Sequence, residues 1–292
     1  MTEPRSVSLD TLLAQLGERF ASAGIESPVA DAELLVGHIL ELTRGQVQAQ
    51  AMVGASLSGD QLGAIEALAR RRENREPLQH ITGIAYFRQL ELSVGRGVFV
   101  PRPETESVAE LAIAALTAAA NRTVQPIAVD LGTGSGAIAL AMAVEVPSAQ
   151  VFAVEKSTEA FPFTRANFEK YEYTGARLVL GDLANEFHEL DGRVSVVASN
   201  PPYIPTHAIP RDPEVRDFDP ALALYGGTDG MDVIHRVSKT AKRLLVAGGF
   251  LVIEHADNQG EQVRQLLLAD GWREARIHQD LTGRDRAVSA IK

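Results

Sequence analysis

The sequence predicts an α/β fold: a small helical N-terminal unit, a β-hairpin, and a mostly parallel sheet covered by helices on both faces. Three observations predict it. Up to about residue 75, apolar residues recur at helical spacing. Between residues 80 and 100, glycines punctuate short β-rich runs. From residue 101 onward, short apolar runs alternate with helical stretches, the pattern of buried parallel strands joined by crossover helices.

The first helix is expected in SLDTLLAQLGERFASAG, with Ser8 as N-cap and Leu9, Leu12, Leu13 and Leu16 on one face. SPVADAELLVGHILEL follows with Ser27 as cap and Pro28 at the first helical position. SGDQLGAIEALARRREN gives a third helix, whose Arg70–Arg72 run is expected to be solvated because the segment through residue 80 is acidic overall. HITGIAYFRQLELSVGRGVFV reads as the hairpin, so the domains divide as 1–78 helical, 79–100 linker and 101–292 α/β. TESVAELAIAALTAAA is a helix, and AIALAMAVE is another. Strands are expected at 127–131, 150–155, 177–180, 194–199, 249–254 and 286–291. In such sheets ligands sit beyond the carboxyl ends of the strands.

Composition narrows the function classes. The 292 residues contain 28 basic and 38 acidic side chains, a net charge of −10 that disfavours a broad nucleic-acid surface. There is no cysteine, which removes disulfides, thiolate metal sites and a cysteine nucleophile. The seven histidines lack metal-ligand spacing, and no metal is expected. Leu111–Ala120, the longest strongly apolar run, is well short of the ~20 residues of a spanning helix. MTEPRSVSLD has no apolar signal-peptide core, so a cytoplasmic protein is expected.

Two motifs carry the chemistry. Asp130-Leu131-Gly132-Thr133-Gly134-Ser135-Gly136 closes the first strand of the α/β part. Its glycines let backbone approach a ligand, and the helix that follows offers free N–H groups. Glu155 ends the next strand, 23 residues after Gly132, where a carboxylate can accept hydrogen bonds from the ribose hydroxyls of an adenosine-containing cofactor. No Gly-Lys-Ser/Thr follows, which excludes the phosphate loop of NTPases. Gly132-x-Gly134-x-x-Ala137 also satisfies a relaxed dinucleotide fingerprint, so the turn alone leaves a dehydrogenase open.

The second motif is Asn200-Pro201-Pro202-Tyr203, directly after VSVVAS. Two prolines remove two backbone donors and stiffen the turn. The Asn200 side-chain oxygen and the Pro201 carbonyl can accept both hydrogens of a planar NH2 group, and Tyr203 supplies an aromatic face. Such a grip suits methyl transfer to an amide or adenine nitrogen. It orients a delocalised lone pair and stabilises the charge developing on nitrogen.

With these motifs, the sequence resembles S-adenosylmethionine-dependent methyltransferases, and among them the HemK/PrmC family of release-factor glutamine N5-methyltransferases. PLQHITG (77–83), VPRPETE (100–106), DLGTGSGAIALA (130–141), SNPPYIP (199–205), PEVRDFDPALALYGGTDGMD (213–232) and DLTGRDR (280–286) carry the likeness over nearly the whole chain. The resemblance implies a seven-stranded Rossmann-like class I methyltransferase domain with an antiparallel last strand, for which RAVSAI is suited. It implies methylation of the glutamine amide in the Gly-Gly-Gln loop of class 1 peptide-chain release factors, by a monomer without nucleic-acid or membrane partners. Gly132, Thr133, Gly134, Ser135 and Gly136 would wrap the cofactor, Glu155 would hold its ribose, and Asp182 and Leu183 would flank the adenine. Asn200 would touch cofactor and glutamine, and Phe99, Arg102 and Thr105 would lie nearby. The family usually carries Asp where this chain has Glu155, Trp where it has Leu183, and Glu-Ile-Gly where it has EHADNQG.

The rival that shares Asn-Pro-Pro-Tyr is an adenine amino-methyltransferase of nucleic acid, which the charge and the 16 aromatic residues disfavour. His207 is expected to be a solvated loop residue and Trp272 a packing residue. Residues 210–232, with six acids and two bases, are read as a wall for a basic protein partner.

Overall fold

A computed structural model describes residues 7–292. The signal-peptide reading falls mostly on residues 1–6 and lies outside the described residues. Along the chain come α1 (Leu9–Ser22), α2 (Pro28–Leu40), α3 (Arg44–Met52), α4 (Gly59–Glu73) and α5 (Leu78–Thr82), then the strands β1 (Ile84–Phe87) and β2 (Leu90–Ser93). The α/β part continues with α6 (Thr105–Ala120), β3 (Ile127–Leu131), α7 (Ala137–Glu145), β4 (Gln150–Glu155), α8 (Phe161–Lys170), β5 (Arg177–Leu180) and β6 (Val194–Ser199). It closes with α9 (Pro213–Phe218), α10 (Ala221–Leu224), α11 (Asp232–Leu244), β7 (Leu245–Glu254), α12 (Gly260–Ala269), β8 (Arg273–Gln279) and β9 (Asp285–Ile291). Among the described residues no helix is long and apolar enough to cross a membrane.

The chain forms two compact units. One comprises the described residues up to Gly83 together with Arg211–Phe218; the other comprises Ile84–Pro210 and Asp219–Lys292. In the helical unit, Leu9, Leu16, Phe20, Leu35, Val36, Val47 and Ile65 make the core. The helical spacing of the sequence is realised, with two additions. Leu78–Thr82 form α5 where HITG was read as the start of the hairpin, and α3 had no apolar stripe to announce it. It is held at its start by a capping box between Thr43 and Gln46, and α4 by the same device between Ser58 and Gln61.

Three local expectations need correction. Ser8 precedes α1, but its hydroxyl bonds Thr11 Oγ1 at 2.9 Å and makes no backbone cap. Ser27 makes no cap bond either; its backbone, at φ −121° and ψ 58°, departs from the extended geometry of the working caps Thr43 and Ser58. Arg72 is not solvated: its side chain is 5% exposed, with Nε donating to Asp31 at 2.7 Å and Nη2 to Glu214 at 2.7 Å. Burial of a guanidinium is tolerable only with such partners. Arg70, two residues earlier on the outer face, is exposed as expected.

The second unit holds a seven-stranded sheet in the order β5-β4-β3-β6-β7-β9-β8. Strands β3 to β7 are parallel, and β9 runs antiparallel between β7 and β8, as expected for RAVSAI. β8 is the strand the sequence hid, since REARIHQ lies at the edge and carries charge on its exposed residues. All five residues of β3 are buried, because helices cover both faces. Val108, Ala112, Leu116 and Leu140 pack one face; Ile234, Val237, Val263 and Trp272 pack the other. The strand order reverses at β3 and β6, so their carboxyl ends border the crevice where open α/β sheets bind ligands. The hairpin β1–β2 is tied to α8, through Ser93 N–H to Asn167 Oδ1 at 2.6 Å and Glu91 N–H to the Tyr171 hydroxyl at 2.9 Å.

Candidate active site

The glycine turn leaves β3 with Gly132, Gly134 and Gly136 all at positive φ (77°, 57° and 91°). Their surroundings differ. A Cβ on Gly132 or Gly134 would meet no protein atom within 4 Å, whereas one on Gly136 would sit 2.9 Å from the Phe168 ring. Gly136 therefore serves close packing of α7, and the first two glycines keep an open cradle. Thr133 Oγ1 donates to Asp130 Oδ2 at 2.6 Å and Ala139 N–H to the same oxygen at 3.1 Å. Asp130 is fully buried, and burial, reinforced by the nearby Glu155 charge, lifts its pKa to about 7. Ser135 is buried, and its carbonyl accepts from Asn167 Nδ2 at 2.9 Å.

Glu155 ends β4 and turns back onto this turn. Its Oε2 accepts from Gly134 N–H and its Oε1 from Ser157 N–H, both at 2.7 Å. The extra methylene relative to aspartate gives it this reach, and a carboxylate keeps further lone pairs beyond the two used. Asp182 follows β5. It is held by Lys156 at 3.1 Å and by Arg236. Burial opposes its ionisation, but Arg236, the Ala184 N–H and Lys156 prevail and hold the carboxyl well below the usual range. Leu183 packs against the apolar face that contains Phe187 and Met231.

The Asn-Pro-Pro-Tyr segment leaves the carboxyl end of β6. Ser199 anchors it by donating to the Leu131 carbonyl at 2.6 Å. Asn200 is half-buried, and its Nδ2 donates to Thr105 Oγ1 at 3.3 Å. Among the described residues no hydrogen bond is donated to Asn200 Oδ1 or to the Pro201 carbonyl. These are the two acceptors the sequence singled out. Burial, with the nearby Glu254 charge, pushes the Tyr203 hydroxyl well above its ordinary pKa.

The loop is braced from behind by a segment whose glycines the sequence left unexplained. Ile204 N–H donates to Leu224 O and Gly226 N–H to Ile204 O, at 2.8 and 2.9 Å. A Cβ on Gly226 would lie 2.4 Å from Pro202 O, and one on Gly230 only 2.1 Å from Tyr203 O. Gln259 adds a bond from Nε2 to Tyr203 O at 3.0 Å while its Oε1 caps Ala256 N–H. The residue types announce a turn at 226–230, but not that its backbone lies against Pro202 and Tyr203. That Gln259 role is a physical account of part of EHADNQG.

Phe99, Arg102 and Thr105 are distributed as follows. The Arg102 guanidinium lies 5.0 Å from the Phe99 ring centre and donates to buried Asp219 at 2.7 Å. Thr105, at the start of α6, is buried and accepts from Asn200; Glu254, a buried carboxylate the sequence did not single out, ends β7, where the Tyr203 hydroxyl approaches its Oε1 at 3.4 Å. His207 is exposed and Trp272 is buried, its indole donating to Ser238 at 2.9 Å. Among the described residues no cluster of three or more His, Asp or Glu is arranged to hold a metal ion.

Comparison with known proteins places this architecture. The PrmC N-terminal domain family matches residues 11–83 and the methyltransferase small domain family residues 91–212. A release factor glutamine methyltransferase of Streptomyces coelicolor is 49% identical over 96% of both chains. One from Mycolicibacterium smegmatis is 42% identical, covering 97% of this chain and 98% of its own. A 4-amino-L-phenylalanine/4-methylamino-L-phenylalanine methyltransferase of Streptomyces pristinaespiralis is 39% identical over 92% of this chain and 89% of its own. Among solved structures, the hMettl16 catalytic domain in complex with a 3'UTR hairpin shares the fold, with a TM-score of 0.51 at 12% identity over 68% of this chain and 75% of that one. From identity at this level along nearly the whole length, the chain belongs to the release factor glutamine methyltransferase family.

Proposed function

We propose that this protein transfers a methyl group from S-adenosylmethionine to the side-chain amide nitrogen of the glutamine in the Gly-Gly-Gln loop of class 1 release factors. The observation that carries the reading is the orientation of Asn200: its Nδ2 is engaged by Thr105, so its oxygen is left for a substrate NH2. The cofactor fits the residues present. The open cradle at Gly132 and Gly134, the Glu155 carboxylate and Asp182 lie at the carboxyl ends of three adjacent strands. Thr133, Ser135 and Gly136 complete the turn, and Leu183, Phe99 and Arg102 belong to the same proposed binding shell.

S-adenosylmethionine supplies an electrophilic methyl group when bound, its S–CH3 bond breaking to leave S-adenosylhomocysteine as the N–CH3 bond forms, and the methylated nitrogen gives up one proton to water. Asn200 Oδ1 and the Pro201 carbonyl accept the two amide hydrogens and hold the NH2 plane, which places the nitrogen lone pair in line. The same two acceptors stabilise positive charge as it develops on nitrogen. Pro202 keeps the loop stiff, and Tyr203 walls the acceptor site. The helical unit is the proposed docking element for the protein substrate, in a cytoplasmic setting.

The test is transfer of labelled methyl to a purified class 1 release factor. Its companions are the same factor with the loop glutamine replaced by alanine, DNA and RNA, and 4-amino-L-phenylalanine. Label on the unaltered factor alone is the expected result, falling about 100- to 1,000-fold in Asn200→Ala with the fold retained. Label on nucleic acid or on the free aryl amine, with none on the factor, overturns the reading.

A further inference from the structure

We propose that the β8–β9 turn, residues 280–284, is a docking point for the release factor beside its Gly-Gly-Gln loop, with Leu281 as the anchor. This rests on the reading that the acceptor amide belongs to a release factor, and it adds a contact on the α/β unit. The turn opens the stretch DLTGRDR, to which the proposed mechanism gives no role. The sheet register places it. Ser199 pairs with Ile253 and Glu254 with Ala287, so the start of β9 lies beside the strand ends that carry Asn200 and Glu254. His255 N–H donates to Arg286 O at 3.0 Å and carries the alignment one residue further. With neighbouring strands about 4.8 Å apart, the turn stands two strands, roughly 10 Å, to the side of Asn200 and projects past the same edge.

One buried carboxylate builds the turn. The Asp280 side chain is 1% exposed. Its Oδ1 accepts from Thr282 N–H at 2.8 Å, from Thr282 Oγ1 at 2.5 Å and from Arg284 N–H at 3.2 Å. Its Oδ2 accepts from Nε and Nη2 of Arg286, both at 3.1 Å, which fastens the turn to β9. Asp280 N–H donates to Arg284 O, and Gly283, at a φ of 79°, donates its N–H to Asp280 O, each at 2.9 Å. The residues so held, Leu281 to Arg284, are all exposed, and Leu281 is completely so. A lone exposed leucine is ordinary on a protein surface, and a turn that only joins two strands is served by polar residues. Here the backbone on both sides of the leucine is fixed while its side chain stays in water.

The acceptor says what covers it. The glutamine amide that Asn200 receives belongs to a protein, whose body must lie over the same strand ends. A specific protein interface covers about 800 Å² per partner, far more than one side chain in the acceptor site, so the substrate has to rest on neighbouring projections. The 280–284 turn is one. A second lies on the segment that braces the acceptor loop: Ile204 N–H ties α10 in place through Leu224 O at 2.8 Å, and α10 exposes Leu222. A turn already fixed loses little freedom on association, so the burial of Leu281 goes into affinity. The turn is remote from the reacting atoms. It therefore strengthens ground-state and transition-state binding alike, and acts on KM rather than kcat.

The test is Leu281→Ser beside two companions. Leu281→Met keeps an apolar side chain, and Val124→Ser removes a similarly exposed one ahead of β3, at the other end of the sheet. Leu281→Ser is expected to raise the KM for a purified class 1 release factor about tenfold, with kcat within about twofold. The Kd for the factor, measured by calorimetry with S-adenosylhomocysteine present, is expected to rise equally. The melting temperature and the affinity for S-adenosylhomocysteine stay at their wild-type values. Leu281→Met and Val124→Ser are expected to match wild type throughout. An unchanged Kd in Leu281→Ser, an equal rise in Val124→Ser, or a rise that comes with a lower melting temperature overturns the inference. So does a wild-type dimer in sedimentation that Leu281→Ser disperses, which gives the turn to a second copy of the chain. The substrate reading fails differently: the wild-type protein then leaves the factor unlabelled, and the docking point falls with it.

Discussion

Two glycine segments of the α/β unit look alike in sequence and do opposite work. In the turn at 132–136, Gly132 and Gly134 face open space. In the segment at 226–230, Gly226 and Gly230 face the backbone oxygens of Pro202 and Tyr203 at distances no side chain allows. The first pair keeps room for a ligand. The second lets one loop press on another, so that the acceptor loop cannot relax. Glycine in both is a statement about close approach; what approaches is a ligand in one case and protein in the other.

Substitution separates the two roles. Gly230→Ala should have the largest effect, because its φ of +81° and the 2.1 Å approach to Tyr203 O leave a methyl group nowhere to go. A loss of about 3 kcal/mol in stability and about 100-fold in kcat is expected, read by thermal melting and methyl transfer. A variant that melts like wild type would remove the bracing role. Gly134→Ala should cost only about 1 kcal/mol, for the positive φ, while weakening cofactor affinity about tenfold in calorimetry. Unchanged affinity would mean that the cradle holds nothing.

A further expected effect is a slope with pH. Asp130, under the open turn, has its pKa raised to about 7 by burial, against an unfolded value near 3.9. The folded state therefore binds the proton more tightly, and stability declines as pH rises from about 4 to about 7. Asp130→Asn does not titrate. Its melting temperature relative to wild type should climb across that window, and a constant difference would show that the carboxyl is not strained by burial.

Much of the α/β unit was legible because its signals are local. IAVDL is buried on both faces and reads so, and Asp130 to Gly136 and Asn200 to Tyr203 are contiguous motifs at strand ends. What was illegible depends on residues far apart. Arg72 sits in a basic run that reads as solvated, and its two carboxylate partners, Asp31 and Glu214, are distant in sequence. Glu254 reads as an acid at a strand end until the Tyr203 hydroxyl is seen beside it. β8 is an edge strand whose charges mask the alternation, and α3 offers GQVQAQ in place of an apolar stripe. Within 210–232, three of the six acids are engaged by arginines outside the segment: Glu214 and Asp212 serve Arg72 and Arg75, and Asp219 serves Arg102.

The pairing of Arg72 with Glu214 also sets a timetable for synthesis. The two residues are 142 positions apart. At about 5–20 residues per second, a ribosome that has made Arg72 needs about 7–30 s more to make its second carboxylate. During that interval the N-terminal helices carry a guanidinium with only part of its final company. The helical unit thus begins first and finishes late, and a fragment cut at Gly83 would stop at that unfinished stage.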